Sequence, residues 1–217
     1  MMEVAAEDLS YEDGSFIVPG TEIAPLAFDK VARMAHLGHV LPDGMEPGLD
    51  ETLFYDPIGM GAPSGVHMAY VEVDPDTGMV EILDYIAVDD AGVIINPLLA
   101  TRQIHGGVVQ GIGQALYEEV CYDRETGQLL TGSLLDYAVP HADSLPSIRS
   151  QFQETRSPTN PLGVKGIGES GSIGAPPTIV HAVLDALAPF GIAHLDMPLT
   201  PQKIWAAIQT ARVGTSR

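Results

Sequence analysis

Residues 96–120 read NPLLATRQIHGGVVQGIGQALYEEV. Asn96 followed by Pro97 is a helix-start signal. The asparagine can cap free N–H groups, and the proline lacks an N–H that the first turn would leave unpaired anyway. Ile104, Val108, Ile112, Leu116 and Val120 then recur every four residues, which predicts a helix with one buried stripe. Gly106, Gly107, Gly111 and Gly113 all lie inside it. Each costs about 1 kcal/mol against alanine, so the segment forgoes roughly 4 kcal/mol. A closely packed backbone or a ligand must offset that cost. Gln110 and Gln114 stand one turn apart on one face, and their amides suit a heterocycle edge or a phosphate. The pattern leaves two readings open: a ligand contact, or tight helix packing with surface glutamines.

Strand signals precede this helix. Val66 to Val73 and Met79 to Val88 alternate in the manner of strands, and Asp74-Pro75-Asp76-Thr77-Gly78 between them reads as a hairpin turn. Asp123 to Gly127 repeats the device between Val120-Cys121-Tyr122 and Leu129-Leu130. A second helix is expected from Ala175-Pro176-Pro177-Thr178, with Ile179, Val180, Val183, Leu184 and Leu187 on one face, to a stop at Pro189-Phe190-Gly191. A third is expected from Thr200-Pro201, burying Ile204, Trp205 and Ile208. Nearer the start, Ser15 to Val18 is a strand candidate and residues 24–37 are loosely helical. Residues 41–65 carry five glycines and four prolines, a long irregular segment. The expected organisation is an N-terminal segment, 1–65, and an α+β (mixed α/β) domain, 66–217.

Between the first two helices lies PLGVKGIGESGSIG, 161–174, with five glycines in twelve residues. A glycine loop entering a helix exposes N–H groups and positive potential, yet this one holds an acid, Glu169. Glycines on both flanks let other groups approach its carboxylate. Glu169 is therefore a candidate general base, the alternative being a turn acid that caps nearby N–H groups. Gly166-x-Gly168-x-x-Gly171 also matches a dinucleotide fingerprint. That motif needs an apolar strand directly before it, and Ser157-Pro158-Thr159-Asn160-Pro161 is not one.

Composition narrows the function. With 29 acids against 10 bases, the net charge of −19 disfavours nucleic acid and anionic membranes as partners. Residues 34–101 contain twelve acids and no lysine or arginine, either a solvated face or a surface for a partner chain. The single cysteine, Cys121, excludes internal disulfides and an all-cysteine iron–sulfur cluster on this chain; it reads as buried and inert. Of seven histidines only His36 and His39 share a helical spacing, so no side-chain metal site is expected. G-x-S-x-G is absent, so no serine nucleophile elbow is expected either. No signal peptide or transmembrane segment is expected, which implies a cytoplasmic location.

Three blocks carry a family resemblance: VEVDPDTG (71–78), DDAGVIINPLLATRQIHGGVVQGIGQALYEEV (89–120) and NPLGVKGIGESGSIGAPPTIVHAVLDAL (160–187). With LDYAVPHADSLP and MPLTPQKIW, they resemble the C-terminal, molybdopterin-binding part of the molybdenum hydroxylase large subunit. This is the xanthine dehydrogenase, aldehyde oxidase and aerobic carbon monoxide dehydrogenase family, and the detail resembles the carbon monoxide dehydrogenase type most. The resemblance implies that Glu169 is the catalytic glutamate, which takes a proton as water-derived oxygen is transferred to an aldehyde, N-heterocycle or carbon monoxide. It implies that Gln110, with Gly107, Gly111 and Gly168, contacts the pterin of a molybdenum–molybdopterin cofactor, in some relatives a cytosine dinucleotide. The metal is then held by the pterin dithiolene rather than by side chains. Family large subunits are several times longer, so the resemblance implies a complementary molybdopterin subunit or the remainder of the large subunit. It also implies iron–sulfur and FAD subunits carrying 2Fe-2S and flavin. The family's reactive cysteine belongs to an active-site loop that this chain lacks, so Cys121 takes no such role. A non-catalytic structural or assembly module of such a subunit is the alternative.

Overall fold

The computed structural model describes residues 1–214. The chain divides into two compact units, Met1–Asp56 and the residues from Pro57 onward. In the first unit, β1 (Ser10–Glu12), β2 (Ser15–Ile17) and β3 (Leu26–Ala27) form a small antiparallel sheet that leads into α1 (Phe28–Ala35). The Tyr11, Phe16 and Phe28 rings cluster there, with centroids 5.1 to 6.3 Å apart. The strand and helix expected here are both present, but α1 ends at Ala35. The Leu37 N–H bonds back to the Met34 carbonyl, tightening the last turn, and a 3-10 turn follows over Gly38–Val40. His36 and His39 therefore do not share a helix face.

In the second unit, β4 (Ser64–Val73) and β5 (Val80–Asp90) pair as the expected hairpin. Asp74 builds the turn by accepting from the Asp76 N–H at 2.9 Å and the Thr77 hydroxyl at 2.7 Å. A third strand, β6 (Ile148–Phe152), pairs parallel to β5, giving the order β4-β5-β6. That strand was not anticipated: it is five residues long and three of them are polar.

Helix α2 (Pro97–Leu116) has the expected cap, the Asn96 side chain accepting from the Leu99 N–H at 3.1 Å. Ile104, Val108, Ile112 and Leu116 are buried as the stripe predicted. Val120 is exposed, because the Tyr117 and Glu118 N–H groups both bond the Gly113 carbonyl and end the helix before it. Helix α3 (Ser170–Leu187) packs along α2 and against β4. It starts five residues before the expected position, with Pro176 and Pro177 inside. The acceptors those prolines leave unused are the Ser172 and Ile173 carbonyls, still in the first turn, so the helix tolerates them. The stop came where expected, with Gly191 left-handed. Helix α4 (Pro201–Gly214) buries Ile204 and Ile208, while Trp205, on the next face round, is 45% exposed, a correction to the expected burial.

Three further points bear on the expectations, and the second corrects them. By length and composition Ser170–Phe190 is apolar enough to cross a membrane. Here its stripe of Ala175, Ile179, Val183 and Leu187 is core, packed with Ile104, Val108, Ile112 and Tyr85. The Asp123–Gly127 turn forms, but its flanks pair only through a single bridge, Tyr122 to Leu129, and Cys121 is half-buried rather than buried. Within the base-free acidic stretch, Asp84 pairs with Arg149, Asp76 with Arg212 and Asp90 with Lys165, so distant bases neutralise part of it.

Candidate active site

The loop of residues 157–169 is pinned to the exit of β5. The Gly163 carbonyl accepts from Val93 and Ser157 N–H groups, each at 3.0 Å, and the Lys165 N–H bonds the Ala91 carbonyl at 2.8 Å. Gly92 is left-handed (φ 68), and a Cβ on it would collide with the Gly163 carbonyl. The Asn160 amide closes the loop on itself, donating to the Val164 carbonyl at 2.9 Å and accepting from the Val164 N–H at 3.1 Å. Lys165 Nζ reaches Asp90 at 2.8 Å, and Asp90 also accepts from the Gly92 and Thr155 N–H groups. The Lys165 ammonium, with those N–H donors, holds the Asp90 carboxyl well below the usual carboxylate range.

This anchoring delivers Glu169 to the N-cap position of α3. Its side chain makes no capping hydrogen bond; its backbone carbonyl instead accepts from the Ile173 N–H and the Ser172 hydroxyl. The capping role weighed for this acid is therefore not its role, and its carboxylate stays exposed. Gly166 and Gly168 have no neighbour where a Cβ would stand. A cleft of about 760 Å³ opens here, lined by Glu169, Gly166, Gly168, Ser170, His67 and Asp89, among others. The Gln103 amide of α2 donates to the Gly168 carbonyl at 3.0 Å, fixing the peptide next to Glu169.

The cleft's inner wall carries a buried polar pair. His67 and Asp89 side chains are 3% and 2% exposed, with Nε2 of His67 3.4 Å from Asp89 Oδ1 and Nδ1 2.9 Å from the Tyr85 hydroxyl. The Asp89 oxygen accepts, so Nε2 is the donor to it; in the neutral ring Nδ1 then accepts from the Tyr85 hydroxyl. Burial pushes the Tyr85 phenol far above its usual range, which keeps that donor protonated.

The predicted residues separate into two places. Glu169 and Gly168 share the cleft; Gln110, Gly107 and Gly111 do not line it. Gly107 and Gly111 are buried against α3, where added Cβ atoms would meet the Ser172 N–H at 2.9 Å and the Ala175 Cβ at 2.6 Å. Helix packing therefore accounts for these two glycines. Gln110 is exposed, on the α2 face that also carries Gln103, about 10 Å further along the axis. Sequence reasoning did not single out Gln103, Asp89 or the His67 pairing. Gln103 was legible as a third glutamine, seven residues before Gln110 on the same face. Asp89 and His67 lie 22 residues apart and meet only through strand register.

Residues 1–146 match the family model described as the molybdopterin cofactor-binding domain. The chain is 36% identical over 209 residues to the carbon monoxide dehydrogenase large chain of Hydrogenophaga pseudoflava, covering 96% of this chain and 26% of that protein. It is 42% identical over 205 residues to the nicotine 6-hydroxylase large subunit of Paenarthrobacter nicotinovorans, covering 94% and 25%. The fold is similar to the crystal structure of quinoline 2-oxidoreductase from Pseudomonas putida 86, with a TM-score of 0.88 and 41% identity over 96% of this chain and 26% of that one. The chain thus spans about a quarter of the length of the relatives it matches. With the family model over two thirds of its length and these relatives over nearly all of it, the chain belongs to the molybdopterin-binding family of molybdenum hydroxylase large subunits.

Proposed function

We propose that this chain forms one wall of the active site of a molybdenum-cofactor-dependent hydroxylase and supplies Glu169 as its general base. The carrying observation is the uncapped Glu169 carboxylate, presented into the cleft by a loop anchored on both sides. The residues present fit a flat, hydrogen-bonding cofactor such as molybdopterin: bare glycines leave room along the cleft, and buried polar atoms wait on its wall. When bound, that cofactor supplies the redox and oxygen-transfer chemistry. Glu169 accepts and returns a proton at its carboxylate oxygens; Gln103 holds the Gly168 peptide so that the carboxylate keeps its place. Gln110 donates to or accepts from the pterin along the open face of α2, and the dinucleotide form of the cofactor is compatible with that length of surface.

The remaining length of the large subunit completes the site, and iron–sulfur and FAD subunits take the electrons onward. Apolar side chains left open, Leu53 at 84%, Phe54 at 93% and Ile58 at 92% exposed, favour burial under such a chain. Among substrates, an N-heterocycle or an aldehyde is favoured over carbon monoxide, and the names of the nicotine and quinoline relatives support the heterocycle.

In the complex assembled with those partners, Glu169→Gln should lower turnover at least about 100-fold, the scale of a lost general base, while molybdenum content stays near normal. Turnover close to wild type would leave the chain as a structural or assembly module instead.

A further inference from the structure

The His67–Asp89 pair is built at some cost. A Cβ on Gly65, which faces Asp89 across the β4–β5 register, would run into Asp89 Oδ1 at 2.5 Å. A Cβ on Gly174 would stand 2.6 Å from Nδ1 and Cε1 of the His67 ring. Two glycines therefore seat one histidine and one acid. His67 Nε2 pairs with Oδ1 while Tyr85 holds the other ring nitrogen, yet Asp89 Oδ2 is buried with no hydrogen-bond partner, and so is Ser170 Oγ. Both residues line the cleft that holds Glu169. A buried carboxylate oxygen without a donor is costly, and a fold that spends two glycines to orient it implies that something donates to it.

We infer that Asp89 and Ser170 form a polar subsite in the Glu169 cleft that receives the N–H edge of a nitrogen heterocycle. Asp89 Oδ2 accepts the ring or exocyclic N–H, and Ser170 Oγ, which both donates and accepts, pairs with a neighbouring ring heteroatom. His67 and Tyr85 are positioning residues that aim the carboxylate. An aldehyde offers no N–H, so the subsite discriminates between substrate classes if the occupant is a substrate. The same chemistry could come from the cofactor's own ring. This inference rests on the cleft being the active site proposed above.

The test uses the chain assembled with the rest of its large subunit, in Ser170→Ala and Asp89→Asn variants. Molybdenum and pterin per complex are measured, together with equilibrium dialysis of 2-aminopyridine, an N–H heterocycle, against benzaldehyde. If the cofactor ring occupies the subsite, pterin and molybdenum content fall at least fivefold in both variants. If a substrate does, content is kept while 2-aminopyridine binding weakens at least fivefold and benzaldehyde binding does not move. Unchanged content and unchanged 2-aminopyridine binding in Ser170→Ala overturn the subsite; that substitution, at a helix start, decides the matter even if Asp89→Asn fails to fold. Equal weakening of both probes also overturns it. None of these readouts needs turnover, so a fully active Glu169→Gln variant would sink the general base and leave the subsite standing.

Discussion

The two glycine-rich regions of this molecule use the same residue for opposite ends. In α2, Gly107 and Gly111 are glycine because α3 occupies the space a side chain would take. In the loop before α3, Gly166 and Gly168 are glycine with nothing beside them. The first pair closes a gap between helices and belongs to the core. The second pair keeps a gap open beside Glu169 and belongs to the cleft. Composition alone cannot separate these, because both appear as a glycine excess next to a polar residue.

The largest expected effect lies on the cleft side: Glu169→Gln costs turnover, not fold. Next, Gly111→Ala drives a methyl into Ala175 and Pro176, and should cost about 1–3 kcal/mol by overpacking. For a unit of this size that lowers the thermal midpoint by roughly 2–4 °C per kcal/mol, measurable by calorimetry. A midpoint equal to wild type would break the distinction between filled and open glycines. Gly106→Ala, exposed in the same helix with no neighbour within reach, should do the opposite and gain up to about 1 kcal/mol from helix propensity. Gly168→Ala should leave the midpoint within about 1 °C of wild type, in line with a surface substitution that meets no neighbour, while lowering cofactor content in the assembled complex. A midpoint drop as large as that of Gly111→Ala would place Gly168 with the core glycines.

The smallest effect tests the loop's anchor. The folded-state pKa of Asp90 lies below its unfolded value, so its contribution is complete above the unfolded value, near about pH 4. It is lost as pH falls through the folded value. The gap in thermal midpoint between wild type and Asp90→Asn should therefore be flat from pH 8 to 5 and narrow below pH 4. A gap that does not narrow in acid would mean that the ionised Asp90 carboxylate, and so the Lys165 clasp, is not its source.

Much of the fold was legible because its signals are local. The turn at 74–78, the Asn96 cap and the Gly191 stop each depend on a few adjacent residues whose backbone needs are narrow. The start of α3 was not legible in the same way. Pro176-Pro177 is a strong start signal by itself, and only the packing of Gly171 against Ile104 and Val108 carries the helix back to Ser170. The strand β6 was hidden for a related reason: its partner is β5, some sixty residues earlier, and its own alternation is weak. Glu169 was visible as an acid between glycines, but whether it caps the helix or faces the cleft is a question of side-chain direction.

The sequence by itself determined the elements with sharp ends, the family to which the chain belongs, and the acid on which the chemistry is proposed to turn. Those follow from short-range sterics, capping and motif spacing, which act within a few residues. Only the tertiary structure decided which glycines are filled and which stand open, and that His67 and Asp89 meet behind Glu169. These depend on the β4–β5 register and the α2–α3 crossing, and such contacts exist only once distant segments have been brought together.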